Sequence, residues 1–197
     1  MEFDRIIEKR SSVRSFKGRV VSWKDVLYAV DAATKGPGAG GDLALKFIIV
    51  ENPDTIDKLA DHADQSWINK SSMILIVTSD DKHLEKLYGD RGRVYSRQQA
   101  GAAINTILLK LVDLGLGACW VGSYDDKMIR KVLQIPEEKQ IEAIIPIGYE
   151  KPAIKKASKS RKRKIEHYLF WDKWNQKSRN YLFKETISRA DEQGHPI

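Results

Sequence analysis

The chain has 197 residues, 42% hydrophobic and 31% charged, with a mean hydropathy of -0.46. That suits one globular domain, or two small ones, and no apolar run approaches the roughly 20 residues of a membrane span. One cysteine excludes an internal disulfide framework and a cysteine-built zinc site, and His62, His83, His167 and His195 show no ligand spacing. The opening Met-Glu-Phe-Asp-Arg carries acids and no apolar h-region, so the expectation is a cytoplasmic protein without a membrane partner. The formal net charge of +7 is uneven: Lys151 to Lys184 holds twelve basic residues against two acids, +10, which leaves -3 for the rest. Such a basic tail suits nucleic acid, a membrane surface or a phosphorylated small molecule, and charge alone does not choose among them.

Phe3, Ile6 and Ile7 recur at helical spacing up to about Arg10. Ser12, Arg14 and Phe16 then alternate in an extended segment, which puts Ser12 and Arg14 on one side. Ser22 with Asp25 resembles a capping box ahead of Trp23, Val26, Leu27, Val30 and Ala33, and Gly36 offers the stop. Residues 36–42, with four glycines, read as a loop of unusual freedom. Residues 47–50 and 73–77 read as buried strands flanking a helix over 54–62. A short helix and a loop are expected over 80–95. Ala100, Ala103, Ile104, Ile107, Leu108, Leu111 and Leu114 then form an apolar stripe on a long helix, with Gly101 and Ala102 as small residues beside it. A strand over 118–121, a helix over 128–132 and a strand over 141–147 follow. Pro146 should mark a sheet edge or a strand end. Trp171 and Trp174 should pack on the body or a partner, and a short helix is expected over 179–190. The interleaving argues for an α+β or α/β sandwich.

There is no Gly-x-Ser-x-Gly elbow, no His-Glu-x-x-His and no Walker loop, and the glycine loop follows a helix rather than a strand. Two clusters suit a phosphate: Arg10, Ser11, Ser12 and Arg14, and Arg161, Lys162 and Arg163. Guanidinium groups pair with phosphate oxygens at two points, and hydroxyls add donors. The same arginines also read as ordinary surface charges, the loop as a plain connection and Cys119 as an inert core residue.

The order of the motifs resembles the FMN-dependent nitroreductase family. Residues 10–16, Arg-Ser-Ser-Val-Arg-Ser-Phe, are similar to the family's opening Arg-Arg-Ser-Val-Arg-x-Phe element. Pro37-Gly38-Ala39-Gly40 up to strand 46–50 is similar to its Pro-Ser-x-Gly-Asn-x-Gln-Pro-Trp-x-Phe loop and strand. Residues 99–122 are similar to its central helix and following strand. The resemblance implies an α+β fold with a central, mostly antiparallel sheet flanked by helices. It also implies a homodimer through the long helix, with FMN at the interface. It assigns Arg10, Ser11, Ser12 and Arg14 to the FMN phosphate and ribityl chain, with Arg161 and Arg163 completing the phosphate site. Gly122 and Ser123 would lie against the isoalloxazine ring, and Pro37, Gly38, Ala39 and Gly40 would approach from the partner subunit. The family's loop Asn and Gln fall on Gly41 and Leu43, its Pro-Trp pair on Ala44 and Leu45, and its second arginine on Ser11.

The domain expectation is one FMN-binding unit over 1–174 and a C-terminal extension over 175–197 packed on the body or the partner subunit. The implied activity is an NAD(P)H-dependent FMN oxidoreductase that reduces a nitroaromatic, a quinone or a similar small electron acceptor by ping-pong hydride transfer, with no catalytic acid or base of its own. Two alternatives stand beside it. One is a flavin-binding or flavin-handling protein of the same fold without nitroreductase turnover. The other is a basic nucleic-acid-binding protein, which residues 155–164 would serve by counterion release, although no aromatic residues alternate with the charges there.

Overall fold

A computed structural model of the chain describes residues 2–152 and 165–177. The chain divides into two compact units, Met1–Pro152 and Ala153–Ile197. In the first, a four-stranded sheet runs β1(Leu45–Val50), β2(Met73–Ser79), β4(Gln140–Gly148), β3(Gly117–Ala118), with every pairing antiparallel. The helices are α1(Phe3–Lys9), α2(Trp23–Thr34), α3(Pro53–His62), α4(Asp81–Tyr88), α5(Arg91–Asp113) and α6(Asp126–Leu133), with a 3-10 turn at Ser66–Lys70. In the second unit the described residues hold a 3-10 turn at Ile165–His167, and Phe170 and Trp174 meet edge to face at 4.7 Å.

Alternation along the central strands sorts the core onto two faces. Met73, Leu75 and Val77 of β2, with Ala143, Ile145 and Ile147 of β4, point to α2 and α5. Ile74, Ile76 and Ile144 point to α3, α6 and the 3-10 turn. Both faces are covered, which is why every residue of β2 is buried and its sequence reads as an apolar run from Met73 to Val77 before Thr78 and Ser79. A register shift between Val77 and Thr78 leaves Glu142 as the extra residue of β4. The bulge turns Ile141 to the second face, against the simple alternation of its strand.

Several local readings change. Helix α5 starts at Arg91 rather than near Ala100, because the junction with α4 is tight. A Cβ on Gly92 would come within 2.5 Å of the Leu84 carbonyl, so only glycine lets the two helices meet there. Ser22 does occupy the N-cap of α2, but its side chain makes no cap hydrogen bond. The capping that the structure does use sits at Asn52, Asp80 and Asp125, whose side chains accept from the N–H groups of Thr55, His83 and Met128. The strand expected over 118–121 is a two-residue ladder and a separate Val121–Ile144 bridge. Pro146 lies inside an internal strand. Its missing N–H falls opposite Cys119 and Trp120, where that ladder is interrupted, so no hydrogen bond is lost.

The loop at 36–42 is a folded turn. Ala39 and Asp42 bridge, Gly41 N–H donates to the Gly38 carbonyl at 3.1 Å, and Gly40 and Gly41 have φ of 63° and 81°. Two consecutive positive φ values define a tight hairpin turn, and glycine takes them without strain. Asp42 pairs with His83 at 2.6 Å, which ties the end of the turn to α4.

Candidate functional site

Residues 11–17 have no helical or strand periodicity of their own, and the sheet's end organises them. Val13 N–H donates to the Ala118 carbonyl at 3.0 Å and Lys17 N–H to that of Tyr149 at 2.8 Å, while Lys151 N–H donates to Ser15 at 2.9 Å. Val13 fills the space beside Gly117, and Phe16 covers Gly148, at both of which a Cβ would be 2.7 to 2.9 Å from the covering side chain. Val13 and Phe16 are therefore buried, and Ser11, Ser12 and Arg14 are exposed. Strict alternation stops before Phe16, whose buried ring packs near that of Trp67 at 6.4 Å between centroids.

Arg10 is the C-cap of α1, half-buried, and Arg14 lies over the Trp67 ring at 5.9 Å. Among the described residues neither arginine is paired with a carboxylate. The Trp67 contact orients Arg14 without neutralising it. The segment thus carries two cations, one of them oriented by an aromatic face, beside two exposed hydroxyls, a donor set suited to a phosphate or another oxyanion.

Gly122 and Ser123 leave the sheet just beyond the Val121–Ile144 bridge, and both are exposed. The segment is pinned from behind. Gln65 Nε2 donates to the Ser123 carbonyl at 3.3 Å, Asp125 N–H to that of His62 at 2.8 Å, and the Tyr124 hydroxyl to that of Ile141 at 3.1 Å. Burial pushes the Tyr124 hydroxyl up to about 12, with the Asp126 carboxylate adding in the same direction. The N–H groups of Gly122 and Ser123 have no acceptor among the described residues, and a Cβ on Gly122 would meet nothing within 4 Å. Both donors lie on an exposed loop that is tied at Ser123, Tyr124 and Asp125. Trp67 and Gln65 connect this loop to Arg14, so the structure brings Arg14, Gly122 and Ser123 to one corner.

Pro37, Gly38 and Ala39 line a different cavity, of about 250 Å³, whose other wall is α5 at Tyr95, Gln98, Gln99 and Ala102. It lies on the α2/α5 face of the sheet, whereas Trp67 and Tyr124 pack with the α3/α6 face. Gly40 is outside it, with Tyr88 Oη where a Cβ would be. Arg161 and Arg163 lie outside the described residues, as do the rest of 155–164 and the helix expected over 179–190. Sequence reasoning missed Trp67, Gln65 and Gln99. Trp67 sits in a polar stretch without periodicity, and Gln99 entered only as the first residue of the segment that resembles the family's central helix. It also missed an open groove of about 1170 Å³ under residues 16–23, 51–57 and 69–73, which takes in only Phe16 and Lys17 of the segment above. Among the described residues no cluster of His, Cys, Asp or Glu is arranged for a metal ion, and no helix is long and apolar enough to cross a membrane.

This antiparallel α+β architecture is the one found in solved nitroreductase-family proteins. A family member from Clostridium novyi NT superposes with a TM-score of 0.69 at 26% identity, over 89% of this chain and 96% of that one. An FMN-dependent nitroreductase from Clostridium difficile R20291 has the same fold, with a TM-score of 0.72 at 22% identity over 86% of this chain and 98% of its own. Residues 63–149 match the nitroreductase family in sequence. A provisionally named NADH dehydrogenase/NAD(P)H nitroreductase of Methanothermobacter thermautotrophicus is 31% identical over 153 residues, covering 76% of this chain and 78% of the relative. The chain belongs to the nitroreductase family.

Proposed function

We propose that the chain is an FMN-dependent oxidoreductase that takes hydride from NAD(P)H and passes electrons to a small acceptor, such as a nitroaromatic or a quinone, in alternating half-reactions. The observation that carries this reading is the corner at Arg14. Two arginines without carboxylate partners and two N–H groups without acceptors among the described residues are joined there by two exposed serines, with Arg14 over the Trp67 ring. That donor set fits a phosphorylated, planar, electron-accepting cofactor: Arg10, Arg14, Ser11 and Ser12 for the phosphate and polyol, and Gly122 and Ser123 for the ring edge. FMN supplies the hydride chemistry when bound. The protein's part is to hold the ring beside a loop tied by hydrogen bonds from Gln65, Tyr124 and Asp125 and to offer its backbone donors. Donors fixed in advance favour the state that carries more negative charge, so no side-chain acid or base is required.

A homodimer follows from the same reading. The cavity at residues 37–39 and the Arg14 corner belong to opposite faces of the sheet, so one flavin in contact with both needs a second copy of the chain. Gly101, half-buried on α5, has nothing within 4 Å of its Cβ position, which leaves that helix open to close approach. Arg161 and Arg163 are proposed to complete the phosphate site. The test is the visible spectrum of the purified protein, with identification of what denaturation releases. A yellow protein that releases FMN and oxidises NADH or NADPH in the presence of a nitroaromatic or quinone meets the proposal. A protein that stays colourless with added FMN refutes it.

A further inference from the structure

The side chain of Gln99 is unusual in this molecule. It is only 4% exposed, and both its Nε2 and its Oε1 lack a hydrogen-bond partner among the described residues. A buried amide left in that state is costly, and native proteins keep few of them without a reason. Gln99 also lines the 250 Å³ cavity between α5 and the glycine turn. The rest of that lining is Pro37, Gly38, Ala39, Ala102, the ring of Tyr95, which is itself braced edge to face by Tyr88 at 5.3 Å, and Gln98, whose amide, unlike that of Gln99, belongs to an exposed residue. The turn contributes no polar side chain of its own between Pro37 and Gly41. The hydrogen-bonding side chains of the cavity therefore come from the helix.

We propose that Gln99 is the recognition residue of this cavity and that it takes a planar ring edge carrying an O=C–N–H unit, with the amide donating to the carbonyl and accepting from the N–H. A primary amide meets such an edge at two points, and an apolar slot on either side suits the faces of a ring. The amide atoms are covered, so a ligand reaches them when the turn at 37–41 shifts. Gly40 and Gly41 are the residues that allow it, while the Asp42–His83 pair holds the far end. The inference rests on the flavoenzyme reading, which supplies two molecules with this edge: the pyrimidine end of a flavin and the carboxamide of a nicotinamide.

The experiment compares the full-length wild type with Gln99→Met, which keeps the length and removes both hydrogen-bonding atoms. Three quantities are read: the Tm of the apoprotein, the Kd of FMN from quenching of its fluorescence, and the Kd of NAD+ and NADP+ from the perturbation of the bound flavin's spectrum. The apoprotein variant should melt at or above the wild type, because an unpaired buried amide has been replaced by an apolar chain. One ligand should bind about tenfold more weakly, the loss expected for two hydrogen bonds, while the other changes less than about twofold. Weaker FMN identifies the flavin edge, and weaker dinucleotide identifies the carboxamide. A lower apoprotein Tm marks Gln99 as a structural residue and overturns the inference, as do unchanged constants for both ligands in a yellow variant. A wild type that takes up no FMN overturns the functional reading itself, and this inference with it.

Discussion

Two arginines of this chain sit in opposite electrostatic circumstances. Arg97, on α5, pairs with Glu142 and Asp81 and donates to Ser79 at 2.9 Å. Ser79 in turn donates to Glu142, and Ser96 donates to Asp81 at 2.7 Å. Every charged group of that cluster has a partner, and the bulge that displaces Glu142 from the regular β4 register is what delivers it there. Arg14 has a tryptophan face and no carboxylate among the described residues. Closed clusters hold elements together, here β2, β4, α4 and α5. An open one leaves its charge available to a ligand. The difference is not visible from residue type, since both arginines are exposed to a similar degree by class.

The contrast is broken most directly by Arg97→Met. It leaves two carboxylates facing each other, so unfolding free energy should fall by about 2 kcal/mol, discounted from a fully buried pair because Arg97 is 42% exposed. Chemical denaturation measures it, and an unchanged midpoint would show that the cluster does not clamp the fold. Arg14→Met is the converse case. FMN affinity should drop about tenfold or more, and stability should stay within about 0.5 kcal/mol of wild type. A fluorescence titration and a melting curve on the same sample separate the two effects, and a variant that loses stability instead would make Arg14 a structural residue.

Gly117→Ala sharpens the comparison from the backbone side. Its Cβ would approach Val13 to 2.9 Å and push residues 11–14 off the end of the sheet, at about 1 kcal/mol. FMN affinity should weaken with it, although no ligand-binding side chain has changed. Tyr124 reports on the loop behind Gly122. Burial pushes its hydroxyl up to about 12, above the ordinary phenol value of about 10. The stability it contributes is complete below the unfolded value and is lost as pH rises between the two. Absorbance of the phenolate should show one tyrosine titrating late, a delay absent in Tyr124→Phe. Smallest is Asp80, which caps α4 and is held below the ordinary carboxylate range by Lys139. That contribution is present above the unfolded value near 3.8 and disappears as pH falls through the lower folded one. Lys139→Met should flatten the acid limb of the stability profile by about 0.5 kcal/mol.

Much of the architecture was legible in the chain. An apolar run at 73–77, a helical stripe beginning at Ala100 and a Ser-Val-Arg segment after a short helix each encode a local environment, and periodicity carries that information over a few residues. The start of α5 was not legible, because it depends on how closely Gly92 approaches the Leu84 backbone, a contact between two elements. The glycine stretch read as loose, yet it closes into a hairpin turn through Ala39 and Asp42. The candidate phosphate cluster was readable as residue types in order, with Ser12 and Arg14 exposed on the same segment as expected.

Composition and pattern by themselves narrowed the fold to an α+β or α/β sandwich, and the order of motifs carried the family resemblance, its α+β expectation and the side chains that could serve a phosphate. Those properties belong to short stretches of chain and survive without knowledge of any distant contact. Only the tertiary structure decided which arginine is neutralised and which has no carboxylate among the described residues, that Trp67 and Gln65 connect Arg14 to the loop at Gly122, and that Gln99 is buried with no hydrogen-bond partner among those residues. Each depends on where separate segments meet in space, and a charge or an amide takes its role from the partners that meeting provides or withholds.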